Sequence, residues 1–295
     1  MVELRRAHQR GWDLGYGGDM LNMAVHIARL GCECAFLTAI GTDSFSSRAL
    51  ETWESEGVDC TMIVRNAQRG IGLYAIDTDA AGERSFTYWR GQSAARSLFA
   101  DPLPAQTRAR VRESDALVFS LISLAILPDE GRQGLLDLAG EVADHGGIVA
   151  FDGNYRPALW EDAATAARWR DAAIDVATLG LPTLDDEIAL EGDASVQDVA
   201  RTWGGASETV IKLGAEGCQL ADGRHVKPPA ILDPVDTSGA GDAFGAAYIA
   251  ARSAGSEPAA AARAGHRLAG WVVMRRGAAP SVDEAAPYAS ILGGQ

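Results

Sequence analysis

Short apolar runs alternate with longer segments of helical periodicity along most of this chain, and that alternation leaves few architectures open. Residues 116–120, 147–152, 175–181 and 208–212 read as buried strands. Among them, residues 129–145, 163–173 and 195–203 carry apolar side chains at helical spacing. Strands joined through helices need crossover connections, so the pattern predicts an α/β fold with a mostly parallel sheet and helices on both faces. Residues 59–90 have another texture. There I-G-L-Y-A-I-D-T-D and E-R-S-F-T-Y-W-R alternate apolar and polar around D-A-A-G, which predicts an antiparallel ribbon with one wet face projecting as a small lid.

With 295 residues, 47% hydrophobic content and no internal repeat, the chain reads as one globular domain, residues 1–295. Its net charge of -14 is spread along the sequence without a Lys/Arg block, which argues against nucleic-acid and membrane-surface partners and for simple solubility. Cys32, Cys34, Cys60 and Cys218 are too sparse for a zinc site or a disulfide framework and read as reduced thiols. Residues 1–10 are polar and charged, and no apolar run approaches the roughly 20 residues of a membrane span, so the expected location is cytoplasmic.

The stretch D-T-S-G-A-G-D-A-F-G-A-A-Y-I-A at residues 236–250 predicts a buried helix through 243–253 that begins within 238–242. Glycines just before a helix let backbone N–H groups face a ligand, and the positive end of the helix dipole adds to them, which makes an anion site suited to phosphate. The plainer reading is a tight loop whose glycines only pack. Asp242 weighs against it, because a carboxylate at a phosphate cradle serves phosphoryl transfer: it takes the proton of the attacking hydroxyl while the amides hold developing charge. Gly239, Ala240, Gly241 and Asp242 are therefore the catalytic candidates. The helix dipole predicts that Asp242 stays ionised at neutral pH.

These residues resemble the C-terminal signature of the ribokinase-like (PfkB) carbohydrate kinases, and the resemblance runs through nearly the whole chain. G-G-D-M-L-N-M-A-V-H-I-A-R-L-G at residues 17–31 looks like that family's sugar-binding glycine pair and helix, and T-A-I-G-T-D-S-F-S at 38–46 like its next strand and turn. More narrowly, G-L-Y (72–74), G-E-R-S-F-T-Y-W-R (82–90), S-L-A-I-L (123–127), D-G-N-Y-R-P-A-L-W (152–160) and T-L-D-D-E (183–187) are similar to 2-keto-3-deoxygluconate kinases. The resemblance implies a ribokinase-like three-layer fold with a β lid formed by about 59–90 and part of 1–16. It implies ATP and Mg2+, and it leaves open a monovalent cation near Asp236 and a homo-oligomer through the lid. By the same resemblance Gly17, Gly18, Tyr74, Tyr88, Arg90, Arg156 and Asp242 contact the sugar acid, and Asn22 supports the glycine turn. A guanidinium suits a substrate carboxylate, which a neutral sugar would lack. The plainer readings are ribbon packing for the tyrosines and an exposed salt bridge for Arg90.

Asn154 and Arg156 follow an apolar run and so lie at a strand's C-terminal end, where open parallel sheets bind ligands. The resemblance places Arg156 between phosphates and substrate, and Lys212, Gly214, Gly217, Gly239, Gly241 and His266 around the nucleotide. A lone histidine is more often a satisfied structural residue. Many relatives position metal with Asn-x-x-Glu, where this chain has Thr183 and Asp186, so only the Asp186 carboxylate stands as a metal candidate. Relatives also open with a buried strand before a segment like M-V-E-L-R, whereas this sequence is given from Met1. The expectation is an absent first strand, a vacant interior position in the sheet and a loss of stability, with every catalytic motif kept. Competing readings are a kinase for ribose, fructose or a nucleoside, a non-catalytic sugar-acid sensor, and a nucleotide-dependent oxidoreductase. The last is weakened because no Gly-x-Gly-x-x-Gly follows a first strand.

Overall fold

The computed structural model describes residues 1–6, 11–78 and 84–293. Its strands are β1 (Val2–Arg6), β2 (Trp12–Tyr16), β3 (Ala39–Gly41), β4 (Val64–Asn66), β5 (Leu73–Thr78), β6 (Arg84–Trp89), β7 (Ala116–Ser120), β8 (Ile148–Asp152), β9 (Leu179–Leu181), β10 (Glu208–Lys212), β11 (Cys218–Leu220) and β12 (His225–Val226). The helices are α1 (Asp19–Arg29), α2 (Ser44–Ser55), α3 (Ala105–Arg112), α4 (Leu121–Ala125), α5 (Asp129–Asp144), α6 (Ala163–Val176), α7 (Leu184–Glu191), α8 (Val196–Thr202), α9 (Ala240–Ser253), α10 (Pro258–Val273) and α11 (Tyr288–Leu292). Among the described residues no helix is long and apolar enough to cross a membrane.

Six strands form the central sheet in the order β12-β11-β10-β9-β8-β7. Strands β7 to β10 run parallel, and β11 and β12 add an antiparallel edge. Because side chains alternate along a strand, β8 feeds two cores. Val149 and Phe151 pack with Leu135, Leu138 and Val142 of α5 and with Trp203, whereas Ala150 packs with Ala246 and Ala247 of α9 and Leu268 of α10. This gives the three-layer, ribokinase-like α/β arrangement expected. Aromatic stacking ties the first core together, with Phe151 5.1 Å from both Phe119 and Trp203. Strands β3 and β4 form a separate parallel pair, covered by α2 through Trp53 and Ile40.

The four-stranded lid sheet has the order β2-β1-β5-β6. Register puts Glu3, Tyr74 and Tyr88 on one face and Trp12, Leu14 and Trp89 on the other. Two expectations change here. Residues 64–66 pair with β3 rather than with the lid, so the ribbon starts at Leu73. The strand expected over 175–181 is only β9, because α6 continues to Val176 with Ile174 buried in the core, and Trp203 covers β9 so closely that a Cβ on Gly180 would lie 2.7 Å from its ring. The expected turn at residues 79–82 lies outside the described residues.

Candidate active site

Helix α9 is apolar and buried on nearly every side, so its start is fixed by the core beneath it. Its N-cap, Gly239, has φ 72°, and a Cβ there would approach the Ala278 backbone to 2.6 Å, so glycine is required on both counts. The first-turn N–H groups of Gly241 and Asp242 have no intrahelical acceptor and point out of the helix start. Ala240 opens the helix, and a Cβ on Gly241 would lie 3.6 Å from Lys212 Nζ, an ordinary contact. Asp242, in the first turn, is buried and accepts a hydrogen bond from Asn22 Nδ2 at 2.8 Å. The side chain of Asn22 thus serves Asp242, while its backbone N–H donates to Gly18 O.

The protonation state of Asp242 differs from expectation. Burial, followed by the charge of Asp19 and then that of Asp152, raises its pKa to about 7; the Asn22 bond and Lys212 pull the other way. The dipole argument misses this because half a charge at a helix end is outweighed when a carboxylate is desolvated beside others. A group poised near neutrality is suited to proton transfer.

Asp19 is the main functional candidate absent from the sequence reading. It stands at the first residue of α1 and accepts hydrogen bonds from Ser120 Oγ and, at 3.1 Å, from Asn154 Nδ2. Burial raises its pKa, and Asp152 adds to the effect. Asp152 ends β8, and Lys212, which ends β10, donates to it at 2.9 Å in a buried ion pair. Arg156 donates to Asp186 at 3.0 Å, and burial raises the Asp186 pKa against the pull of Arg156 and Lys212. Among the described residues no group of three or more His, Cys, Asp or Glu side chains is arranged to hold a metal ion by itself. Mg2+ usually needs only one or two carboxylates besides water and substrate phosphates. The mutually repelling Asp19, Asp152 and Asp242 leave negative charge that a nucleotide-borne ion would offset, so the donors fit such an ion.

On the lid, Tyr74 is buried and donates to Glu3, and its ring stacks on Tyr88 at 5.9 Å. Tyr88 is 45% exposed, and the Arg90 guanidinium lies 4.1 Å from its ring centre. Arg90 is in no ion pair among the described residues; burial lowers its pKa, with Tyr88 and Asp19 among the groups that raise it. The charge of Asp19 thus acts on both Arg90 of the ribbon and Asp242 at the α9 start. A Cβ on Gly17 would collide with the Tyr74 hydroxyl, and Gly18 at φ 140° turns the chain into α1.

The loop after β10 is less uniform. Gly214 (φ 59°) faces open space, whereas a Cβ on Gly217 would strike the Val226 carbonyl, so the second glycine already has a packing reason. His266 is buried against Phe244, its Nε2 is 2.9 Å from Val226 O, and burial lowers its pKa. Protein contacts account for it without a ligand.

A family model described as pfkB family carbohydrate kinase matches residues 3–285. The chain is 40% identical to 2-dehydro-3-deoxygluconokinase of Escherichia coli K12, over 94% of each sequence, and 41% identical to the enzyme of that name from Dickeya dadantii, over 94% of this chain and 93% of that one. Among solved structures it is similar to aminoimidazole riboside kinase from Salmonella enterica complexed with aminoimidazole riboside and an ATP analog, with a TM-score of 0.84, 26% identity and coverage of 99% and 96%. A buried carboxylate at the start of α9, the three-layer fold and these likenesses agree: the chain belongs to the pfkB family of carbohydrate kinases.

Proposed function

We propose that this kinase transfers the γ-phosphoryl group of ATP to the terminal hydroxyl of 2-keto-3-deoxygluconate (2-dehydro-3-deoxygluconate), giving the 6-phosphate and ADP. What supports this reading is 40% identity to enzymes with that name, together with Arg90 stacked over Tyr88 on the lid and the charge of Asp19, which acts on both Arg90 and Asp242. Among the described residues Arg90 is in no ion pair, so its guanidinium is available to the carboxylate of a sugar acid. Tyr88 and the Gly17–Gly18 turn contact the polyol, and Tyr74 backs Tyr88.

Asp242 takes the proton from the hydroxyl as it attacks the γ-phosphorus, and the N–H groups of Gly241 and Asp242 hold charge on the transferring group. Lys212 and Arg156 face the phosphates, and Gly214 leaves room for the nucleotide. Asp186 and Asp152 are the carboxylates that would hold Mg2+, which would offset the negative charge of the nucleotide phosphates. Lid closure excludes water that would hydrolyse ATP. The same reading places the enzyme in the cytoplasm. It also lets a second copy cover the exposed lid face of Trp12, Leu14 and Trp89, which are 50%, 41% and 60% exposed.

A coupled ADP-release assay with 2-keto-3-deoxygluconate, its galacto epimer, fructose and ribose tests the substrate. The sugar acids are expected to be preferred by at least tenfold in kcat/KM. A preference for ribose or fructose would remove the role given to Arg90.

A further inference from the structure

At the far end of α9 from Asp242, a cavity of about 440 Å³ opens between α9, α10 and α11. Lys227, Arg263 and Arg267 line it, with Ala251 and Ile291 among its apolar walls, and among the described residues no carboxylate does. Ala251 lies nine residues along α9 from Asp242, so helical rise puts the cavity roughly 14 Å from the carboxylate that faces the reaction.

Three cations meet here in a chain with 40 acidic against 26 basic residues, in which other exposed arginines, such as Arg108 and Arg110, pair with Glu141 and Asp59. Among the described residues, the side chains of Lys227 and Arg263 have neither a hydrogen-bond nor an ion-pair partner, and Arg267 donates only to the Ser290 carbonyl at 3.3 Å. Arg263 and Arg267 sit one helical turn apart, a spacing at which like charges repel. Such repulsion is relieved by an anion shared between them. The cavity volume is in the range of small-ligand pockets, and guanidinium pairs match phosphate oxygens in geometry as well as charge.

We propose that this cavity binds a phosphomonoester of a small polar metabolite, its phosphate held by Arg263, Arg267 and Lys227 and its carbon skeleton lying toward Ala251 and Ile291. The site is separate from the cleft that performs phosphoryl transfer. Its α9 wall gives a bound anion a direct connection to the helix that carries Asp242.

The test is calorimetric titration of the native protein with 6-phosphogluconate and, separately, with inorganic phosphate. Three variants are compared: Arg263→Ser/Arg267→Ser, Lys227→Gln on the exposed loop, and Arg90→Ala in the cleft. The double variant is expected to weaken 6-phosphogluconate binding at this site at least tenfold and Lys227→Gln about threefold. Arg90→Ala is expected to leave this component in place, so binding in the cleft is distinguished from binding here. Both groove variants keep the KM for ATP within twofold of native. Tighter binding of 6-phosphogluconate than of phosphate identifies a phosphomonoester rather than the free ion as the ligand. Unchanged affinity in both groove variants, phosphate binding as tightly as 6-phosphogluconate, or a parallel rise in the KM for ATP would overturn the proposal.

Discussion

Replacing Asp242 with Asn should make this protein more stable in the pH range where it makes it inactive. Burial beside Asp19 and Asp152 raises the Asp242 pKa to about 7, from 3.8 for an ordinary aspartate. The shift is upward, so its favourable contribution is present in full below pH 3.8 and is lost as pH rises through 7, where a desolvated charge is forced into the site. At 1.36 kcal/mol per unit, the cost at pH 8 reaches about 4 kcal/mol as a ceiling, and about 2 kcal/mol at pH 5. Asn carries no charge at either pH and still offers Asn22 an acceptor oxygen. The stability gap between variant and native protein should therefore widen by about 2–3 kcal/mol from pH 5 to pH 8, roughly 5 °C in Tm for a chain of this size. Ionisable groups not coupled to Asp242 are common to both proteins and cancel in the comparison, whereas Asp19 and Asp152 shift with it and make the figure a ceiling. Turnover with the sugar acid at pH 8 should fall by about 10²–10⁴ through loss of the base. Thermal unfolding followed by circular dichroism at both pH values, with ADP release measured alongside, tests both halves. A Tm gap independent of pH would show that Asp242 is not desolvated as described, and turnover within tenfold of native would show that it is not the base.

Three further perturbations probe the same cleft. Asn22→Ala removes a bond that lowers the Asp242 pKa, so the acid limb of the kcat/KM profile should move to higher pH; an unmoved limb would leave Asn22 a purely structural residue. Arg90→Lys retains charge and loses the planar fork over Tyr88, so kcat/KM for the sugar acid should drop about 10-fold to 100-fold while that for a neutral sugar holds; equal losses on both would detach Arg90 from the carboxylate. Gly239→Ala forces φ 72° on a residue whose Cβ would sit 2.6 Å from the Ala278 backbone, and should cost about 2 kcal/mol or more in denaturant unfolding.

What the sequence disclosed and what it hid follow from the range of the interactions concerned. Strands β7, β8 and β10 and helix α9 were legible because a buried apolar run, or a glycine pair followed by one, is a local signal. The start of α9 at Ala240 falls within the window read from residues 238–242. Asp19 was not legible. Its partners, Ser120 and Asn154, are 101 and 135 positions away, and nothing in the periodicity of α1 marks its first carboxylate as facing them. The ion pair of Lys212 with Asp152 spans 60 positions and was hidden for the same reason. The ionisation of Asp242 was misjudged because the helix dipole can be read from one segment, whereas desolvation and two neighbouring carboxylates arise only when α1, β8 and α9 converge.

That convergence also explains how the lid and the phosphate loop act as one device. Tyr74, stacked on the exposed Tyr88, donates to Glu3; Glu3 accepts from Arg5 Nη2 at 3.0 Å; and Arg5 Nη1 lies 3.9 Å from Asp236. Asp236 in turn accepts from the N–H groups of Ser238 at 2.9 Å and Gly277 at 3.0 Å, the residues just before Gly239 and Ala278. A continuous polar chain thus runs from the aromatic floor of the lid to the loop that sets the direction of the α9 amides. Its middle members are partly buried, so their attraction is less screened than that of surface pairs such as Arg6 with Asp77. Asp236 is thus the joint between the lid sheet and the start of α9.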